Sequence, residues 1–322
     1  MARKRSGPTH SNDDEIRAPV LKAIARNRVP GLHFAGHFLD IQCRKVTRES
    51  ARFAIPDGPH CRDANGTVNI AVLGILADNV LAAPTRAGES PGARLGTVHL
   101  QLQFTGAPLM GDLSAESRML GRSEGAAMQK SFSSATFYAS RKPIAHGSGE
   151  FVLLDAPQGV TLAPRPWESR SAEHPRTAPV DIGALEPREI AILTACDAAL
   201  AKASRQAAFI QHFWGGLPRR TAQGASSRVA IGPHIGNRIG YVQGGILFGL
   251  AATNACAAAA PEMMLSNVSA WYISPGRGAA LVIRSRLLHA GRTTAVVRTE
   301  IKTAGGERVL EAVTQHVARK RD

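Results

Sequence analysis

The sequence has few aromatic residues, few cysteines and no CxxC pair. Aromatic side chains make up 5% of the chain, which argues against a single-strand nucleic-acid platform built on stacked bases. The four cysteines, Cys43, Cys61, Cys196 and Cys256, lie far apart, so the sequence predicts neither a disulfide framework nor a zinc site. We expect a reducing, cytoplasmic setting. The histidines show no ligand spacing either, so no metal and no cofactor are expected.

The sequence also lacks a long, strongly apolar run. Its first residues are basic and then acidic with no apolar stretch behind them, so we expect no secretory signal. One uncharged segment, residues 244–260, is rich in alanine and contains Thr253 and Asn254. It is shorter than the roughly 20 strongly apolar residues that a membrane span needs. We therefore predict a helix buried in protein and no membrane span.

The composition is that of a globular protein with an excess of positive charge. The 322 residues correspond to about two average domains, and 44% are hydrophobic, enough for a sizeable core. Lys and Arg outnumber Asp and Glu by 39 to 25, which gives a net charge of +14. Basic residues at both termini could bind nucleic acid or membrane surfaces without specificity. We expect no specific nucleic-acid partner.

The order of predicted elements occurs twice. Apolar periodicity predicts a short helix near residues 13–26, a strand-like segment over residues 34–55 and a helix over residues 67–84 that stops at Pro84. Alternating runs then predict strands over residues 96–104, 111–123, 126–140 and 143–154. A segment with six prolines follows and reads as an extended linker. Beyond it come a helix, a short strand, a Gly-rich turn, the Ala-rich helix and further strands.

The two halves align directly. Residues 113–123 match residues 281–291 at an offset of 168, and Gly66 matches Gly240 at an offset of 174. Each copy holds a helix too apolar to face water, so each sheet is expected to wrap its helix, and the two sheets to pair. The predicted organisation is a basic tail with a short helix, a first copy, a linker and a second copy, over residues 1–30, 31–155, 156–187 and 188–322.

The second copy resembles a known family. Residues 234–251, HIGNRIGYVQGGILFGLA, are similar to the motif of hotdog-fold acyl-CoA thioesterases of the phenylacetyl-CoA thioesterase type. That motif is Asn-x-x-Gly-x-x-His-Gly-Gly leading into a central helix that carries an Asp. Residues 63–79, DANGTVNIAVLGILADN, repeat it in eroded form. The resemblance implies an α+β fold, a double hotdog with two antiparallel sheets that each wrap a buried helix.

The departures from the family pattern are complementary between the copies. In the second copy Gln243 replaces the family His, and Ala252 stands at the position of the helix Asp. In the first copy Asp78 matches that Asp, but the turn residues are lost. Because family sites form between two protomers, the resemblance implies one complete site, made of Asp78, Thr97, Asn237, Gln243, Gly244 and Gly245. The reciprocal site, with Asp63 and Asn69 facing Ala252, is expected to be inactive.

The resemblance implies hydrolysis of an acyl-CoA thioester to free acid and CoA. Asp78 would be the general base or the nucleophile, and the N–H of Gly244 or Gly245 the oxyanion donor. Thr97 and Asn237 would position the water or the carboxylate. Gln243 could donate a hydrogen bond near the leaving thiolate but cannot supply a proton as His would.

Other functions stay open on the sequence alone. Loss of the family His and of one whole site also fits a non-catalytic acyl-CoA-binding or ligand-binding hotdog protein. A hotdog dehydratase or hydratase ranks lower, since no His is well placed beside the helix. The acyl chain is undetermined, and association into a homo-oligomer is left open.

Overall fold

The computed structural model describes two copies of one α+β unit. The described residues are 10–89, 94–124, 129–155, 159, 161–168 and 180–319. Residues 1–9 of the predicted basic tail, and residues 156–158, 160 and 169–179 of the predicted linker, lie outside them. Within the described residues the chain forms six helices and twelve strands, besides three single 3-10 turns.

The first copy places two helices and a strand pair before a long helix and four strands. Its elements are α1 (His10–Asn27), α2 (Phe34–Phe38), β1 (Gln42–Val46), β2 (Ser50–Ile55), α3 (Ile70–Ala87), β3 (Arg94–Phe104), β4 (Leu113–Arg122), β5 (Lys130–Ala139) and β6 (Lys142–Leu154).

The second copy repeats that order. Its elements are α4 (Pro187–Lys202), α5 (Phe209–Phe213), β7 (Arg219–Thr221), β8 (Gly224–Ala230), α6 (Gly244–Ala258), β9 (Met263–Tyr272), β10 (Ala280–Ala290), β11 (Thr294–Thr303) and β12 (Arg308–Ala318). The repeat therefore includes the two leading helices, which the alignment of the halves did not reveal.

All twelve strands form one sheet, in the order β1-β2-β4-β5-β6-β3-β9-β12-β11-β10-β8-β7. The second half of this order mirrors the first, and the copies join where β3 and β9 pair antiparallel. Gln101 lies opposite Ser269, and the sequence offset of 168 relates these same two residues. The pseudo-twofold axis therefore passes through this pair. The predicted pairing of the two sheets is confirmed.

The central helices α3 and α6 cross at small residues. A Cβ added to Gly245 would lie 2.3 Å from the backbone carbon of Gly74, and one added to Gly249 would lie 2.3 Å from the Cα of Ala71. Only residues with little or no side chain allow backbones to approach this closely. The crossing sets the first turn of α6 against the middle of α3.

Pro84 does not end α3, contrary to the sequence expectation, and the helix continues to Ala87. A proline inside a helix leaves the carbonyl four residues earlier without its usual donor. Here Ser117 Oγ, from the sheet, donates to the carbonyl oxygen of Val80 at 2.7 Å. This hydrogen bond compensates for the missing one, and the extra turn carries Arg86 into the interior.

The start of the segment predicted as strand-like, residues 34–55, is helical instead. Phe34 and Phe38 are four residues apart and share one face of α2, where both are buried with ring centroids 6.0 Å apart. His33 caps the helix, since its Nδ1 accepts a hydrogen bond from the N–H of Gly36 at 2.9 Å. The prediction was wrong there because an apolar pair at this spacing fits one face of a helix.

Part of the predicted linker packs onto the protein. We call residues 161–168 the linker cap. Arg238, from the turn before α6, donates to the carbonyl oxygen of Ala163. Glu168 lies 3.7 Å from Arg86 at the end of α3. The linker cap thereby contacts both the end of α3 and the turn before α6.

Among the described residues, one helix, α3, is long and apolar enough to cross a membrane. However, 83% of it is buried inside the protein. Burial of this kind is typical of a core helix. The Ala-rich helix predicted over residues 244–260 is α6, and its residues are likewise mostly buried.

Candidate active site

The same turn precedes each central helix. Gly66 and Gly240 both adopt left-handed backbone conformations, with φ of 81° and 86°, a region that favours glycine. Each turn also contains the same isolated β-bridge. The two glycines that the repeat alignment pairs are therefore structurally equivalent.

Asp78 lies where the two copies meet. It is on α3 and faces the N-terminus of α6. Gln243 Nε2 donates a hydrogen bond to its Oδ2 at 2.7 Å, and Thr97 Oγ1 donates to its Oδ1 at 2.7 Å. One residue from each copy thus holds the carboxylate.

Gln243 has a fixed amide orientation. It is the N-cap of α6, and its Oε1 accepts a hydrogen bond from the N–H of Ile246 at 3.0 Å. Because the helix terminus uses the amide oxygen, the amide nitrogen points to Asp78. From the resemblance, the Gln243 amide was expected to donate a hydrogen bond near the leaving thiolate. In the structure, one of its N–H groups instead donates to the Asp78 carboxylate.

Thr97 reaches Asp78 from an irregular position in β3. The register of β3 with β6 shifts between Thr97 and His99. Such bulges re-aim side chains and often lie beside functional sites. This one leaves Thr97 Oγ1 within hydrogen-bond distance of the carboxylate.

Gly244 leaves the carboxylate open on one side. A Cβ at this position would lie 3.3 Å from Asp78 Oδ1 and 3.4 Å from its Cγ and Oδ2. Tyr272 Oη, from β9, donates to the Gly244 carbonyl oxygen at 2.8 Å and anchors the start of α6. The first N–H groups of a helix have no partner within it, so this terminus presents donors beside the carboxylate.

Burial raises the pKa of Asp78 above the ordinary value for aspartate. Loss of water around the carboxylate is the largest influence, and the hydrogen bond from Thr97 and the charges of Arg165 and Arg86 oppose it. A carboxyl group with a raised pKa suits proton transfer closer to neutral pH.

A cavity of about 390 Å³ opens beside Asp78. Both copies and the linker cap contribute to its wall. Five of the six predicted site residues line it: Asp78, Thr97, Asn237, Gln243 and Gly244. Its size falls within the range of small-molecule sites.

The remaining placements differ from the expected roles. Gly245 is not among the described residues that line the cavity. It packs against Gly74 where α3 and α6 cross. Asn237 shapes the turn, because its Oδ1 accepts the N–H groups of Ile239 and Tyr241 at 3.0 and 3.1 Å. Of the two glycines expected to supply the oxyanion donor, Gly244 is therefore the one at the cavity wall.

At the reciprocal site, the polar side chains of Asn69 and Asp63 hydrogen-bond to each other. Asn69 caps α3 by accepting the N–H of Ala71 at 2.9 Å and donates to Asp63 Oδ1 at 2.7 Å. Ala252 is fully buried on α6. Inactivity of this second position stays a prediction.

Several cavity residues were missed from the sequence. Tyr272 had a signal, because its equivalent in the first copy is Phe104 and only the second carries a hydroxyl. His33, Arg86 and Arg165 also line the cavity. They come from the segment before α2, the turn beyond Pro84 and the linker cap, where no motif pointed to a site.

Metal ligands are not grouped in the part of the chain that the structure describes. There, no cluster of three or more His, Cys, Asp or Glu residues could hold a metal ion. The four cysteines are unpaired. The cavity instead offers one carboxyl group, hydrogen-bond donors and arginines.

One protein-family model matches part of the second copy. Residues 234–317 match the model of the acyl-CoA thioesterase N-terminal domain. No curated protein matches the sequence. This match covers the turn, α6 and strands β9 to β12 of the second copy.

Solved structures match the fold. One, described provisionally as an oleoyl thioesterase from Lactobacillus plantarum, is 12% identical over 84% of this chain and 97% of its own, with a TM-score of 0.51. A conserved protein of unknown function with a hotdog fold from Alicyclobacillus acidocaldarius is 9% identical over 98% and 100%, with a TM-score of 0.48. A Bacillus halodurans protein solved with CoA is 20% identical over 44% and 100%, with a TM-score of 0.40.

The fold and its arrangement define the class of protein: an α+β double hotdog, as the sequence predicted. The resemblance to hotdog-fold acyl-CoA thioesterases is likewise confirmed, through the domain match in the second copy.

Proposed function

We propose that the protein hydrolyses an acyl-CoA thioester to the free acid and CoA, at one site between its two copies. The observation that carries this is the 2.7 Å hydrogen bond from Gln243, at the N-terminus of α6 in the second copy, to Asp78 of the first, at the wall of a cavity. The thioesterase-domain match supports the choice of reaction.

Asp78 acts as the general base in this proposal. Both of its carboxylate oxygens already accept hydrogen bonds, from Thr97 and Gln243. Each bond stabilises the negative charge and makes the carboxylate a weaker direct nucleophile. A carboxylate acting as general base needs only a water molecule on its open side, beside Gly244, and this is the route we propose.

The reaction then proceeds by addition and elimination. Ionised Asp78 takes a proton from a water molecule while the oxygen of that water bonds to the thioester carbonyl carbon. The carbonyl π bond opens to an oxyanion, which the N–H of Gly244 and the positive end of α6 stabilise. The C=O bond reforms, the C–S bond breaks, and the thiolate takes the proton back from Asp78.

The test is an assay for released CoA thiol over a panel of straight-chain, aromatic and carboxylated acyl-CoA thioesters. We expect thiol and free acid to form in equal amounts with at least one member. If the protein binds acyl-CoA saturably and releases no thiol from any of them, it is the non-catalytic binding protein considered above.

Replacing Thr97 with valine is expected to shift the acid limb of the pH profile of kcat/KM upwards. Valine keeps the shape but removes the hydrogen bond that lowers the pKa of Asp78. Asp78 is then ionised only at higher pH, so the rate at neutral pH falls. The measurement is the pH dependence of thiol release in both proteins.

A matched control for that profile is Thr105→Val, at an exposed threonine just beyond the same strand. It should leave the acid limb where the wild type has it. A Thr97→Val profile that coincides with the wild type would show that Asp78 is not the group whose ionisation limits the reaction.

A further inference from the structure

Three arginines line the same cavity as Asp78; Arg86 and Arg165 are buried and Arg238 is half-buried. Arg86 comes from the last turn of α3, Arg165 from the linker cap and Arg238 from the turn before α6. We call these three residues the arginine cluster. The proposed hydrolysis uses none of them.

Within the arginine cluster, Arg165 is the residue with unsatisfied hydrogen-bond donors. Arg86 has Glu168 at 3.7 Å, and Arg238 donates to the backbone carbonyl of Ala163. For Arg165, the buried Nε and Nη1 have no hydrogen-bond partner among the described residues. Among the described residues, Asp78 is the one carboxylate that lines the cavity, so the cavity wall holds more cations than carboxylates.

Arg165 is therefore a buried cation that lacks hydrogen-bond acceptors at Nε and Nη1, while the Trp167 ring, 5.8 Å from its Cζ, and the charges of Glu168 and Asp78 stabilise it in part. Only 9% of the residue is exposed, and burial together with the charges of Arg86 and Arg238 lowers the pKa of Arg165 well below its ordinary value. An unpaired buried charge is costly. A planar guanidinium with free N–H groups is the side chain best suited to bind an oxyanion through two hydrogen bonds.

His33 adds a neutral donor to the same cavity. Its Nδ1 accepts the N–H of Gly36, so the proton of the neutral ring is on Nε2. Burial lowers the pKa of His33 to about 3, with Arg165 contributing, and the ring stays neutral under physiological conditions. It can donate a hydrogen bond to an anion without adding charge.

We propose that the arginine cluster binds a carboxylate at the far end of the acyl group, so that the substrate is the CoA thioester of a dicarboxylic acid. The inference rests on the proposed hydrolysis at Asp78. Arg165, with two unsatisfied N–H groups, is the principal ligand, and Arg86 and Arg238 supply the remaining positive field.

The position of the arginine cluster favours a carboxylate of the acyl group over the phosphates of CoA. Arg86 follows Asp78 by eight residues on α3, about 12 Å along the helix axis. Arg86 and Arg165 both interact electrostatically with Asp78. The phosphates of CoA are separated from the thioester by the whole pantetheine arm, whereas the arginine cluster shares one cavity with the reacting carboxylate.

The kinetic test compares adipoyl-CoA with hexanoyl-CoA, which have the same number of carbons and differ by the terminal carboxylate. We expect kcat/KM to favour adipoyl-CoA by about 10-fold or more, as a charge-assisted hydrogen-bond pair allows. Arg165→Met should bring the ratio close to one, and Arg165→Lys, which keeps charge but loses the planar fork, should reduce it. The control Arg118→Met, at an exposed arginine on β4, should keep the full ratio.

A binding measurement separates the two possible anions. Calorimetry should show that the wild type binds adipate and that it binds hexanoate more weakly or not at all. The Arg165→Met variant should not bind adipate. Equal kcat/KM for the two thioesters in the wild type overturns the inference, whether or not Arg165→Met folds. It is also overturned if Arg165→Met loses binding of adenosine 3′,5′-bisphosphate and keeps adipate, since the cations would then serve CoA.

The same two measurements distinguish failure of the inference from failure of the proposed function. Hydrolysis without a preference for adipoyl-CoA removes only the carboxylate site. Adipate binding that depends on Arg165, with no thioester hydrolysed, supports the anion site and removes the thioesterase proposal.

Discussion

Replacing Asp78 with asparagine is expected to lower kcat for thioester hydrolysis by about 10³-fold, within the range for loss of a general base. The amide has nearly the same shape as the carboxylate but cannot take a proton from water. Because the wild type loses its own activity as Asp78 is protonated, the loss should be largest above the raised pKa of Asp78 and should shrink towards acid pH. Thiol release under saturating substrate measures it.

The control for this variant is Asp63→Asn, at the half-buried carboxylate of the eroded turn in the first copy. Its rate should stay within a few-fold of the wild type, and circular dichroism should show both variants folded. A folded Asp78→Asn protein with undiminished kcat would remove Asp78 from the mechanism.

Replacing Gly244 with alanine should lower kcat/KM by about 10²-fold, the cost of displacing reacting groups by about 1 Å. The added methyl would lie 3.3 Å from Asp78 Oδ1 and occupy the open side of the carboxylate. It would also crowd the helix terminus where the oxyanion is expected to bind. The measurement is kcat/KM for the best substrate of the panel.

Gly216→Ala is the matched control for that change. A Cβ there has no heavy atom closer than 3.8 Å, and Gly216 needs no left-handed backbone. Its activity and melting temperature should match the wild type. If Gly244→Ala keeps full kcat/KM, the space beside Asp78 is not where the substrate reacts.

Much of the site could be predicted because the repeat provided an internal alignment. Counting along α6 and α3 identified Ala252 and Asp78 as equivalent positions, so the missing carboxylate of one copy pointed to the other. The duplication also predicted a sheet around each apolar helix, and the resemblance to hotdog-fold thioesterases implied the α+β double hotdog.

Features that depend on tertiary contacts could not be predicted. Whether Pro84 ends α3 depends on Ser117, a residue on β4 that supplies the missing hydrogen bond. The prolines of the linker indicated an extended chain, and nothing in their spacing shows that Arg165 is buried beside Asp78. The helical conformation of residues 34–38 was hidden because the surrounding segment has the composition of a strand.

The most direct test of the account is a double-mutant cycle on kcat/KM with Asp78→Asn and Gln243→Asn. Asparagine is the residue that caps α3 in the first copy, at Asn69, so Gln243→Asn should keep the helix cap while withdrawing the donor from Asp78. Alone it should lower kcat/KM by about 10-fold, as loss of a hydrogen bond to a charged group does.

In the Asp78→Asn background, the change at Gln243 should cause no further loss, because Gln243 acts through the carboxylate it holds. That non-additivity is the result expected if the two copies share one site. Losses that multiply fully in the double variant would show that the two residues act independently, and would contradict the account.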